Sequence, residues 1–206
     1  MCRGGAFGGG FIGIGCGFFL AVATLLSPAL MAADPSYRYV EINGLVGESG
    51  GEDSAGLSFD ASYDLGDVVY LAAGYRQSDF DTQPKSDGEF YRLGFGVRGA
   101  VTPRMDVLVA AHYGRLDVSV PVPGGGTHSV LDETGALIDL GMRGQMGNAM
   151  EYSLLATFVD WADRGWSYRA GGRYHLGRSP YSIGLHYSRF ESEWDQLELG
   201  VRYQFD

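Results

Sequence analysis

The sequence predicts an all-β fold: a closed antiparallel transmembrane β-barrel of ten strands, made with an N-terminal signal peptide. Two observations carry this prediction. Apolar residues recur at every second position along most of the chain, which is the period of a β-strand with two different faces. The N-terminal stretch instead combines a positive charge, an apolar run and small residues, an order typical of a secretory signal.

The first 33 residues are the predicted signal peptide, and residues 34–206 are the predicted barrel. Arg3 supplies the positive charge, the apolar run is richest over residues 11–26, and cleavage falls between Ala29 and Ala33. A retained transmembrane helix is one alternative, which the glycines and the proline-containing end disfavour. A lipoprotein signal ending at Cys16 is another, but the residues before it form a poor lipobox.

Composition excludes several classes of function. Both cysteines, Cys2 and Cys16, lie within the signal, so the mature chain has no disulfide, cysteine nucleophile or thiolate metal site. The net charge is −10 and no basic run is present, which argues against binding to nucleic acid. Glycine is frequent, with 33 residues, and its spread among aromatic residues suits strands that curve around a narrow lumen.

The alternation is clearest in the last strand, where Leu197, Leu199, Val201, Tyr203 and Phe205 alternate with polar residues or glycine. Similar segments predict ten strands, an even number as single-chain outer-membrane barrels require, with eight as the alternative if residues 161–176 are partly a loop. The predicted strands are 37–47, 54–65, 68–79, 89–100, 106–119, 133–146, 150–162, 165–176, 181–192 and 195–205.

Connections between these segments alternate in length. Longer ones at 48–53, 80–88 and 120–132 are rich in Gly, Pro, Asp and Ser, whereas the intervening ones are short. Short periplasmic turns and longer outer loops are typical of outer-membrane barrels. Any partner contacts are therefore expected at the outer loops, of which 80–88 is acidic, although solvated tips that bridge to lipopolysaccharide through divalent ions are the favoured interpretation of these loops.

A soluble barrel or sandwich would also alternate, so the location depends on the aromatic residues. Tryptophans fall at the outer-loop ends of strands, and other aromatics fall at the opposite ends, which predicts two belts at the lipid headgroups and a place in the outer membrane. The residues of the first belt are Trp161, Trp166 and Trp194, and those of the second are Tyr37, Tyr39, Tyr174, Tyr203 and Phe205.

The polar faces of the strands predict a lumen filled with charges of both signs. In a narrow barrel these charges must pair, because an isolated buried ion costs several kcal/mol. A salt-bridged plug and a narrow charged pore both fit, and the volume of the arginines favours the plug. The predicted lumen residues are Glu41, Asp60, Asp64, Arg76, Arg92, Arg98, Asp139, Arg143, Glu151, Arg169, Arg173, Glu198 and Arg202.

Three segments, 36–41, 91–97 and 102–106, resemble the small porin-like outer-membrane β-barrel family of Gram-negative proteobacteria. The resemblance runs over most of residues 36–205, and it implies an outer-membrane location, no cofactor and no known catalytic site. The C-terminal strand is similar to the C-terminal strand that the outer-membrane insertion machinery recognises in such barrels. It ends on Phe205, although Asp206 follows as a one-residue departure from that pattern.

The one hint of catalysis is His186-Tyr187-Ser188, because a His and a Ser two residues apart share a strand face. It resembles the His-x-Ser pair of outer-membrane lipid A deacylases, with Glu191, Glu193 or Glu198 as the acid. No cofactor or metal site is predicted. The expected function is therefore non-enzymatic: a structural, narrow-pore or surface-interaction role among outer-membrane lipids and lipopolysaccharide, with a lipid A deacylase as the alternative and the oligomeric state open.

Overall fold

A computed structural model describes residues 36–82, 85–122, 125–147, 149–161, 164–191 and 194–205. The predicted signal peptide, residues 1–33, and the C-terminal Asp206 lie outside the described residues. The described part of the chain forms ten strands. They are β1 (Tyr39–Ser49), β2 (Glu52–Asp64), β3 (Val69–Phe80), β4 (Ser86–Thr102), β5 (Met105–Pro121), β6 (Thr127–Met146), β7 (Met150–Asp160), β8 (Gly165–His175), β9 (Tyr181–Phe190) and β10 (Trp194–Gln204).

The strands form a closed antiparallel barrel in which each strand pairs with its sequence neighbours and β1 pairs with β10. Closure removes the open edges that a flat sheet would leave. The predicted count of ten is confirmed, and residues 165–175 form a strand, not a loop. We call the end of the barrel at which β1 begins and β10 ends the terminus end, and the opposite end the loop end.

The three longer outer connections are shorter than the sequence predicted. The β1–β2 connection consists of Gly50 and Gly51, both at positive φ, as a two-residue hairpin with the favoured twist requires. β3 extends to Phe80 and β4 begins at Ser86, while β5 extends to Pro121 and β6 begins at Thr127, so strands take up both ends of the loops expected at 80–88 and 120–132. The predicted bounds of these loops were wrong because polar residues can continue the backbone pairing between two strands beyond the membrane.

The barrel has an inside-out polarity. Leu57 and Leu93 on the outer face are 62% and 65% exposed, whereas Glu198 on the inner face is fully buried. Such an apolar outer wall is stable against lipid and unfavourable in water, because large exposed apolar patches are rare on soluble proteins. The barrel therefore spans a membrane through its strands. Separately, no helix within the described residues is long and apolar enough to cross a bilayer.

The aromatic belts differ from the prediction. Trp166, Tyr174 and Tyr203 do face outward, with 39%, 52% and 40% exposure, and Phe205 stacks beside Tyr203. The other predicted members are on inward-facing positions, so their assignment to a lipid belt was wrong. These are Trp161, Trp194, Tyr37 and Tyr39.

Candidate functional site: the barrel lumen

The lumen contains a network of paired charges, as the sequence predicted. Within the described residues, ion pairs join seven inward arginines to seven inward carboxylates. All thirteen predicted lumen residues belong to this set. Asp106, which pairs with Arg98, was missed because it was placed at the very start of a strand.

Glu41 is the centre of this network near the terminus end. Arg173 donates to its Oε1 over 2.6 Å, and the Arg202 Nε donates to its Oε2 over 2.9 Å. The same two arginines also approach Glu151, which accepts a 2.7 Å bond from Arg143. The side chains of Glu41 and Arg173 are almost completely buried, so their charges depend on each other and not on water.

A second group of charges lies at mid-height. Arg92 donates to Asp60 over 2.8 Å, and both Arg76 and Arg169 donate to the carboxylate of Glu198. The five residues come from β2, β3, β4, β8 and β10, so they connect opposite sides of the wall. This arrangement holds the barrel cross-section by charge-assisted hydrogen bonds as well as by the backbone ladder.

The terminus end is filled by the segment that precedes β1. Tyr37 is buried against Tyr70, with 4.8 Å between ring centroids. The guanidinium carbons of Arg98 and Arg143 lie 4.5 and 5.0 Å from the centroid of the Tyr37 ring, which are distances of cation–π contacts. Arg143 also donates to the Ser36 carbonyl over 3.0 Å. This segment therefore occupies the lumen at that end.

Side chains of the described residues line two cavities inside the barrel. One of about 110 Å³ lies toward the terminus end, and one of about 210 Å³ lies toward the loop end. Both are lined by Arg92, Leu155 and Arg169, so these three side chains form the layer between them. We call this set the central layer.

The loop-end cavity, which we call the vestibule, has apolar walls and a charged floor. Its walls include Phe90, Leu137, Trp161, Phe190 and Trp194. Its floor is formed by four members of the mid-height charge group, Asp60, Arg76, Arg92 and Arg169. These inward aromatics were not predicted, because the height of an aromatic residue along its strand does not show which face of the strand it is on. Side-chain parity was the available signal: Phe90 is two residues from the inward Arg92, and Trp194 is four from the inward Glu198.

His186 and Ser188 both face the lumen, as predicted, but they are engaged with other residues. The Ser188 hydroxyl donates its single hydrogen to Glu198 over 3.0 Å. The His186 Nε2 lies 3.2 Å from Arg173, and it must accept that bond because arginine has no acceptor. In this arrangement the His186 lone pair is not directed to Ser188, so the geometry gives the catalytic alternative no support, and it stays a prediction.

Within the described ranges, no group of three or more His, Cys, Asp or Glu side chains is placed to hold a metal ion. His112 is bonded to Asp139 over 3.0 Å, and the Thr157 hydroxyl donates to the same carboxylate over 2.7 Å. These groups belong to the charge network that fills the lumen.

The chain matches no protein-family model and no curated protein. Among solved structures, it is similar to the KdgM porin in complex with disordered oligogalacturonate, with a TM-score of 0.50 and 10% identity over 82% of this chain and 99% of that one. It is also similar to the translocator domain of the autotransporter NalP from Neisseria meningitidis (TM-score 0.46, 13% identity, 93% and 96% coverage). A NanC porin has a TM-score of 0.44, 8% identity, and 81% and 100% coverage.

At this level of identity the likeness to the KdgM porin concerns the fold. The porin-like outer-membrane β-barrel fold expected from the sequence is confirmed. Together with the apolar outer wall, it also confirms the expected location in the outer membrane.

Proposed function

We propose that the protein is a closed outer-membrane barrel of a Gram-negative proteobacterium, with a structural or surface-interaction role and little passage of solutes. The observation that carries this proposal is the central layer, where Arg92, Leu155 and Arg169 separate the two cavities. The segment with Tyr37 adds a second obstruction at the terminus end.

The closed state is held by paired charges. A solute crossing the central layer has to displace Arg92 from Asp60 or Arg169 from Glu198. Separating a buried ion pair without replacing its partner costs about 3–5 kcal/mol. A ten-stranded barrel is only slightly wider than an eight-stranded one, whose interior is filled by side chains, so a neighbouring bypass has little room.

Planar-bilayer recording tests this proposal. The unmodified barrel is expected to give no large, steady conductance. The triple variant Tyr37→Ala/Arg92→Ala/Arg169→Ala joins the two cavities, removes the second obstruction at the terminus end and is expected to raise conductance. Arg115→Ala is the matched control, since Arg115 is an exposed arginine paired with Asp132 outside the lumen. Large, steady conductance of the unmodified barrel would contradict the closed state and favour a narrow pore.

The surroundings of the barrel follow from the same proposal. Outer-membrane lipids and lipopolysaccharide cover the apolar wall, and the insertion machinery recognises β10 and Phe205 during assembly.

Residues 1–33 are removed on export. The mass and N-terminal sequence of the protein purified from outer membranes test the cleavage, and a mature chain that begins near Met1 would contradict it.

We further propose that the barrel is not an enzyme, because Ser188 is bonded to Glu198 and His186 to Arg173. Mass spectrometry of lipid A incubated with the purified barrel is expected to show unchanged acyl chains. Loss of an acyl chain that Ser188→Ala or His186→Ala abolishes would establish the deacylase instead.

A further inference from the structure

The vestibule differs from the rest of the lumen in its chemistry. Phe90, Leu137, Trp161 and Phe190 give it an apolar wall, and Trp194 connects wall and floor because the Arg76 guanidinium carbon lies 5.8 Å from its ring centroid. Small-molecule sites are usually concave and mostly apolar, with a few convergent polar groups that fix the ligand orientation. The vestibule has this composition.

The floor presents positive charge to the cavity. The side chains of Arg76, Arg92 and Arg169 are 21–22% exposed, whereas their partners Glu198 and Asp60 are 0% and 13% exposed. With Asp139, which also pairs with Arg92 and is 7% exposed, three guanidinium groups contact three carboxylates, but the carboxylates are the more deeply buried and the guanidinium groups are the more accessible from the cavity. The Arg169 Nε is also buried without a hydrogen-bond partner. An anionic group entering from the vestibule meets cationic donors, which form the stronger class of hydrogen bond.

The volume limits the ligand. The cavity of about 210 Å³ is larger than an engineered apolar cavity of about 150 Å³ that accepts benzene. A ring or short chain with a total of about eight to ten non-hydrogen atoms fits this space by the same scale.

We propose that the vestibule binds a small amphipathic carboxylate, with its apolar part between Trp161 and Phe190 and its carboxylate toward Arg169 and Arg92. The site lies on the loop-end side of the central layer. Binding there requires no opening of the lumen, so it goes beyond the proposed closed state and can fail independently of it.

Tryptophan fluorescence of the full barrel in lipid nanodiscs tests the site. The chain has three tryptophans, and Trp166→Phe removes the outward one, leaving Trp161 and Trp194 in the vestibule wall as reporters. Titration with octanoate is expected to give a saturable change. Arg169→Gln is expected to weaken octanoate binding at least about tenfold, while 1-octanol, which has no charge, changes little. Arg115→Gln is the matched surface control and should bind octanoate unchanged.

Ser167→Phe provides an independent variant, because Ser167 lines the cavity outside the charge network. It fills the vestibule and is expected to abolish saturable binding of both probes without removing any ion pair. Heat-modifiable migration in electrophoresis verifies that each variant is folded. A fluorescence change that persists in Ser167→Phe would show partition into the bilayer and overturn the proposal. Equal affinities of octanoate for Arg169→Gln and the parent would overturn the role of the floor.

Discussion

Replacing Glu41 by Gln tests whether the lumen network stabilises the barrel. The glutamine has nearly the same size as Glu41 but lacks the negative charge that faces Arg173 and Arg202. Among the described carboxylates, both arginines then contact only Glu151, at 3.8 and 3.5 Å. Removing one partner from a buried ion pair typically costs about 3–5 kcal/mol, because the remaining charge cannot be hydrated. We expect Glu41→Gln to lower the free energy of unfolding by about that amount.

A matched control is available at the surface. Asp132 accepts two bonds of 3.0 Å from Arg115, which is also a paired carboxylate–guanidinium contact, but both side chains are about half exposed. Water hydrates either charge when the other is removed, so Asp132→Asn is expected to cost at most about 1 kcal/mol.

Urea unfolding of the barrel in lipid vesicles, followed by tryptophan fluorescence, measures both variants. The expected result is a clearly lower midpoint for Glu41→Gln and a nearly unchanged one for Asp132→Asn. Equal decreases in the urea midpoint for the two variants would refute the reasoning, since burial would then have no effect on the free energy that an ion pair contributes to folding.

Three further predictions concern packing and orientation. Gly96→Ala adds a methyl group against the Tyr70 ring and should cost about 1–3 kcal/mol, whereas Gly44→Ala meets only a carbonyl at 3.9 Å and should cost less in the same urea assay. Tyr37→Ala should cost about 3 kcal/mol in that assay and leave conductance absent, because the central layer remains. In single-tryptophan variants, brominated lipids should quench Trp166 strongly and Trp194 weakly, and the reverse order would contradict the assigned faces.

The strand pattern and the lumen charges could be predicted from the sequence because both depend on one rule. Side chains of a strand alternate between two faces, so an arginine or a carboxylate in an apolar segment indicates which positions face inward. The ladder of a closed barrel then extends this assignment from strand to strand. Arg92 and Glu198, for example, were assigned to the lumen without any knowledge of their partners.

Loop lengths do not follow from this alternation, and the faces of the aromatic residues follow from it only when each ring is placed in register with an inward charge on the same strand. The polar segment around Thr127 looks like a loop in sequence, but it continues the pairing with β5. Trp161 and Trp194 were assigned to the lipid belt from their height in the membrane. At that height the same residue types face the lipid and the lumen, so height alone does not give the face. The vestibule, and with it the candidate binding site, depends on these two tryptophans and therefore emerged only from the three-dimensional arrangement.

The contacts of Glu41 also constrain the order in which the barrel can assemble. Its partners Arg173 and Arg202 are 132 and 161 residues away along the chain, and β1 is joined to β10 by backbone pairing at the same seam. An open sheet that lacks β10 leaves Glu41 without one of its two hydrogen-bonded arginines. The ion pair between Glu41 and Arg202 therefore forms in the same step that closes the wall, so closure of the barrel and neutralisation of this buried carboxylate are coupled.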